Sequence, residues 1–254
     1  MNQSLRLPSL AIASLAMAAL AAVALWPFVQ TAQAQTPQKP RAVVELFTSQ
    51  GCSSCPKADA VLRDLTREPG VVALTFPVTY WDYLGWKDTL ANDQFSQRQR
   101  SYATGRGDGQ VYTPQAVVNG AVHVIGSDRA AIDKAMARQG SAELPVAVEI
   151  DEASQRVRLS ANRGETAKSG SVWIMPVLRE RTVVIARGEN KGRTITYANV
   201  VRGMTRLGDW NGQSIALDMP AASMKTADSD GYVVVVQGVG KAGVILGAAR
   251  SNGL

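Results

Sequence analysis

Val43-Val44-Glu45-Leu46-Phe47-Thr48-Ser49-Gln50-Gly51-Cys52-Ser53-Ser54-Cys55-Pro56 runs a short apolar segment into two cysteines and a proline. Ala42–Phe47 is apolar and branched enough to be a buried strand. Pro56–Thr66 puts Ala58, Val61, Leu62 and Leu65 on one face of a helix, and Pro56 suits a first turn, where a missing N–H costs little. Two thiols three positions apart, after a buried strand and at a helix start, can close a small disulfide. The free amides and dipole of that helix favour a thiolate. Cys52 is therefore expected to be an exposed attacking thiol, with Cys55, one turn in, as the resolving thiol. The competing reading is an inert staple, although a bridge across so few residues removes little entropy from the unfolded chain.

Outward from this stretch, Val71–Thr79 reads as a second strand, joined to the first by the helix and so parallel to it. Asp88–Thr104 is helix-forming and polar. Gln115–Val118 and Val122–Ile125 flank Asn119-Gly120, a two-residue hairpin turn. Ser127 is expected to cap a helix carrying Ala131, Ile132, Ala135 and Met136 inward and ending at Gly140. After Pro145 helical periodicity gives way to short runs of Val, Ile and Thr. Expected strands are Val146–Asp151, Arg156–Ala161, Val172–Leu178, Thr182–Arg187, Thr194–Arg202, Ser214–Leu217, Tyr232–Gln237 and Val244–Ala248. Turns at Asn162-Arg163-Gly164, Glu189-Asn190-Lys191-Gly192, Asn211-Gly212 and Asp230-Gly231 separate several of them, the spacing of an all-β sandwich.

The chain has 254 residues, 46% of them hydrophobic, which excludes a disordered protein. Two cysteines cannot frame a disulfide-rich scaffold, and a single histidine, His123, rules out a multi-His metal cage. The net charge of +6 permits acidic partners. Residues 1–34 read as a signal peptide, with Arg6 ahead of an Ala/Leu-rich run and Ala32-Gln33-Ala34 as the cleavage pattern. An uncleaved anchor over Leu7–Val29 is the competing reading; Pro27 and the Ala-x-Ala site favour cleavage. Residues 35–41 form a polar, Pro-rich lead-in expected to be disordered. With no later span, the mature protein is expected in the periplasm or secreted, where oxidising conditions suit the cysteine pair.

The opening stretch, together with Tyr80-Trp81-Asp82-Tyr83-Leu84-Gly85-Trp86 and Val111-Tyr112-Thr113-Pro114-Gln115-Ala116-Val117-Val118, resembles a secreted bacterial family of unknown function placed in the thioredoxin-like superfamily. Glu189-Asn190, Gly192-Arg193 and Asn199-Val200-Val201-Arg202 extend the resemblance. It implies an α/β thioredoxin-like domain at 42–142, with the all-β sandwich-like domain at 143–254 behind it. It further implies that Thr113-Pro114 is a cis peptide facing the dithiol, where Pro114 orients and Thr113 helps bind an incoming chain. The Ser-Ser pair between the cysteines leaves the redox direction open.

Glu45, mid-strand in an apolar run, is a candidate to handle the proton of the resolving thiol, or else a strand-edge carboxylate. Trp81, Tyr83 and Trp86 either wall a substrate groove or bury themselves in their own loop. The leading function is thiol–disulfide exchange with an exported protein or a small disulfide or dithiol, needing no cofactor beyond a redox-active Cys52–Cys55 pair. The alternatives are copper binding or delivery through Cys52, Cys55 and His123, and a non-catalytic interaction protein. Gly238–Gly243 spells G-x-G-x-x-G between two β-like runs, so it is a hairpin loop and not a dinucleotide site. Arg179, Arg181, Arg187, Lys191 and Arg193 read as solvated strand exteriors, without nucleic acid.

Overall fold

The computed structural model describes Met1 and residues 39–138, 143–162, 169–239 and 243–254. The expected signal peptide, the helix end at Gly140, most of the Asn162–Gly164 turn and the middle of the Gly238–Gly243 loop lie outside the described residues. Residues Gln38–Leu254 form one compact unit.

In chain order the elements are β1 (Ala42–Thr48), α1 (Cys55–Leu65), β2 (Val71–Pro77), a short 3-10 turn (Asp82–Leu84), α2 (Asp93–Arg106), β3 (Gln115–Val118), β4 (Val122–Ile125) and α3 (Arg129–Arg138). There follow β5 (Val146–Asp151), β6 (Arg156–Ala161), β7 (Gly170–Val184), β8 (Thr194–Val201), β9 (Thr205–Trp210), β10 (Ile215–Asp218), α4 (Ala221–Met224), β11 (Gly231–Gly238) and β12 (Ile245–Arg250). Eight strands lie side by side in the order β12-β11-β7-β8-β2-β1-β3-β4, with β9 also pairing β7; β10-β6-β5 make a second, smaller sheet.

The expected fold class, an α/β thioredoxin-like unit followed by an all-β sandwich, does not hold. Strand outweighs helix among the described residues, and strands from both halves of the chain share one large mixed sheet. The reason lies at β2. Every residue of β2 is buried, so the strand needs a neighbour on each edge. One is β1, parallel; the other is β8, also parallel, meeting it at Thr75 and Val200. Two side chains lock the seam: Thr75 Oγ1 donates to the Ala198 carbonyl (2.6 Å), and Asn199 Nδ2 donates to the Ala73 carbonyl (3.0 Å).

Strand alternation sorts the layers. Val44, Leu46 and Ala73 pack against Ala58, Leu62 and Leu65 of α1 and Ile132 and Met136 of α3. Val43, Phe47, Leu74 and Phe76 face the other way, onto Phe95 and Tyr102 of α2. Val157 and Leu159 of the small sheet cover Val172, Ile174 and Val234. Each fully buried side chain of this size stabilises the fold by about 1.5–3 kcal/mol.

Local readings hold in several places. The β3–β4 turn has Asn119 and Gly120 both at positive φ (49° and 66°), as a tight hairpin requires. The expected strands Val172–Leu178 and Thr182–Arg187 are one long strand, β7, while β9 and α4 carried no clear signal. The cap of α3 is Asp128, whose Oδ1 accepts the Ala131 N–H (2.9 Å), rather than Ser127.

Candidate functional site

Cys52 and Cys55 form a disulfide at the start of α1. The helix begins at Cys55 with Pro56 in its first turn, and Ser53 and Ser54 are exposed between the two cysteines. The cysteines themselves are covered: Cys52 is 1% exposed and Cys55 0%. The expected exposed attacking thiol is thus not what the oxidised form presents.

Two loops account for the cover. From the second half of the chain, the β7–β8 connection sets Asn190 over the dithiol, itself wholly buried. Its Nδ2 donates to the carbonyls of Cys52 (2.8 Å) and Gln50 (2.9 Å). Next to it, Glu189 Oε2 accepts the Ser53 N–H (3.2 Å). On the other side, Trp81 lies so close to Gly51 that a Cβ there would sit 3.1 Å from the Trp81 Cβ. The Trp81 indole donates to Thr113 Oγ1 (2.7 Å), tying this loop to Thr113-Pro114, which is a cis peptide as expected. Pro114 is buried near α1, with Gly126 wedged between it and Ala58. Trp86 donates its indole N–H to Gln50 Oε1 (2.8 Å), whereas Tyr83 is 80% exposed. Of the three aromatics read as either a groove wall or a self-buried loop, two are bonded into the cover and one points to solvent.

Behind the disulfide lies an acidic pair that the sequence reading missed. Asp59 stands one helical turn beyond Cys55, on the same buried face as Ala58 and Leu62. Only Thr48 Oγ1 donates to it, at Oδ1 (2.8 Å); Oδ2 has no partner among the described residues. Burial, against the Thr48 hydrogen bond and aided by Asp88, pushes its carboxyl up to about 8. Asp88 accepts the N–H of Gln50, two residues before Cys52, and that of Leu90 (both 2.8 Å); burial raises it to about 6. The hydroxyl of Tyr197 on β8 has no partner among the described residues. Burial first, then Asp59 and Asp88, raises its ionisation. The signal for Asp59 was present: positions 55, 58, 59, 62 and 65 make one helical stripe, so its carboxylate falls inside the apolar face.

Glu45 is placed elsewhere. Strand alternation turns it to the α2 side of the sheet, where Arg98 donates to both its oxygens (2.7 and 3.1 Å). His123 is also engaged: Nδ1 bonds the Tyr112 hydroxyl (2.9 Å) and Nε2 faces Asp108 Oδ2 (3.2 Å). Among the described residues no three His, Cys, Asp or Glu side chains are grouped to hold a metal ion, so His123 is not brought to the cysteine pair. No helix among them is long and apolar enough to cross a membrane.

Residues 43–237 match the model of a family described as "Protein of unknown function (DUF1223)". The chain belongs to this family. A family-sized likeness extends to an X-ray structure of a structural-genomics protein from Agrobacterium tumefaciens. It is 33% identical, covering 86% of this chain and 97% of that one, with a TM-score of 0.73. HBP35 of Porphyromonas gingivalis is similar in fold alone, at 15% identity and a TM-score of 0.54, over 84% of this chain and 75% of that one. No curated protein matches.

Proposed function

We propose that this chain is an exported thiol–disulfide oxidoreductase working through Cys52 and Cys55 on a protein or small-molecule dithiol. The observation that carries the reading is a disulfide at a helix start backed, one turn along the same face, by Asp59, a buried carboxyl whose Oδ2 has no partner among the described residues; burial raises its pKa. A structural staple has no use for a proton-bearing acid beside it. Nor does so short a loop add much stability, about 2 kcal/mol for a ring of about four residues.

The disulfide accepts two electrons in two steps. A partner thiolate attacks Cys52 Sγ; the Cys52–Cys55 bond breaks, and Cys55 leaves with the electron pair and takes the proton held by Asp59. The partner's second thiolate then attacks its own sulfur in the mixed disulfide and releases Cys52 as a thiolate, stabilised by the α1 amides. Solvent receives the partner's protons and restores the one on Asp59. The partner ends oxidised, this chain reduced; the same atoms serve the reverse direction. Glu45, held by Arg98, takes no part, and the copper alternative draws no support from the placement of His123.

The reading is tested with Cys55→Ser, which removes the resolving thiol. After mixing with a small disulfide such as oxidised glutathione, mass spectrometry should find the adduct accumulating on Cys52, while Cys52→Ser should form none. Absence of the adduct from both folded variants contradicts the proposal.

A further inference from the structure

The cover over the disulfide is rimmed by basic side chains. Arg187, Lys191 and Arg193 flank Gly188, Glu189 and Asn190, and all three are exposed. Lys87 is exposed next to Trp86, whose Cβ would lie 3.3 Å from a Cβ at Gly188, and Lys57 is exposed on the first turns of α1. None of these five cations has an ion pair among the described residues. Two acids in the same loops bond backbone amides and not these cations: Glu189 accepts the Ser53 N–H and Asp82 the Asp88 N–H. A solvated strand exterior, expected for the hairpin arginines, does not explain why three of its cations gather at the tip that closes the site.

We propose that this basic rim docks an acidic polypeptide segment next to the partner's cysteine, and that docking lifts the Glu189–Asn190 loop off the disulfide. This rests on the exchange reading above and names its substrate class. The Glu189–Asn190 loop is held to the Gln50–Ser53 segment by three side-chain hydrogen bonds, one of them from the Ser53 N–H to a carboxylate. An incoming Asp or Glu side chain competes for that same N–H, and five unpaired cations raise its local concentration. A neutral thiol has no such leverage and meets a closed site. The device thus discriminates by charge, without a shaped pocket, against thiols lacking acidic neighbours.

The test is the rate at which the oxidised full chain is reduced by three dithiol peptides of equal length, whose flanking residues are acidic, uncharged or basic. At low ionic strength the acidic peptide should react at least about tenfold faster than the neutral one, and about 0.5 M salt should erase most of that margin. Arg187→Glu, Lys191→Glu and Arg193→Glu together should reverse the order, with thermal melting reporting that the variant is folded; Lys191→Gln alone should narrow the margin. Asn190→Ala, which unlatches the loop, should raise the neutral peptide's rate towards that of the acidic one. Equal rates for all three peptides with the native chain overturn the docking inference and leave exchange intact. If none reacts with the folded chain while all react after unfolding in urea, the exchange reading falls and this inference with it.

Discussion

Two buried carboxylates flank the same strand, and they are treated in opposite ways. On the α2 face of β1, Glu45 is 0% exposed, with Arg98 on both oxygens; Arg98 also donates to the Tyr102 hydroxyl (2.7 Å) and Gln237 Oε1 (3.0 Å). On the α1 face, Asp59 is 2% exposed and receives one neutral hydroxyl, from Thr48. Equal burial produces a closed ion pair at one place and a neutral acid at the other, because among the described residues only Glu45 is paired with a cation. The first arrangement fixes structure. The second is the acid that the proposed exchange draws its proton from.

The largest effect is expected from breaking the closed pair. Arg98→Ala strands the Glu45 carboxylate and leaves the Tyr102 hydroxyl and Gln237 without their donor. Chemical denaturation should show a loss of about 3–5 kcal/mol. A loss below about 1 kcal/mol would mean that water reaches Glu45 and that the two carboxylates do not differ in kind.

A smaller, pH-dependent effect belongs to Asp59. Its folded carboxyl is raised above the ordinary value, so the folded chain keeps a proton that the unfolded chain gives up. Stability from this group is full below about pH 4 and is lost as pH climbs to about 8, at no more than about 1.4 kcal/mol per pH unit. Asp88, raised to about 6, adds the same sign only in the lower part of that window. Asp59→Asn should therefore flatten the fall in stability between about pH 6 and 8, and should slow release of Cys55 in stopped-flow reduction. An unchanged pH profile would remove Asp59 as the proton carrier.

What could be read from the sequence follows from range. The β1–α1 join, the parallel β1–β2 pair and the β3–β4 hairpin are local, and Val43–Phe47, the Cys-x-x-Cys pair and Asn119-Gly120 each carry their own signal. The partnership of β2 with β8 crosses from Thr75 to Val200, and no pattern in either strand names the other. For that reason the two halves read as separate folds when they share a sheet. Glu45 stood out because a charge in an apolar run is conspicuous; which face it served depended on where α1 and α2 would pack. Nothing in Lys57-Ala58-Asp59-Ala60 by itself marks Asp59; its place in the 55-58-59-62-65 stripe does. Cys52 reads as exposed from its own segment, and it is buried by Asn190, which lies 138 positions away.

Thiol–disulfide exchange stands on the sulfur at position 52, and its ionisation is the quantity to measure. In the reduced chain, the rate of Cys52 alkylation should be followed from about pH 4 to 10, with Cys55→Ser to isolate the site. A midpoint well below the free-cysteine value of about 8.5 is expected, with faster reaction in Asn190→Ala. A midpoint at about 8.5, or no alkylation until the protein unfolds, would rule out Cys52 as the exchanging thiol.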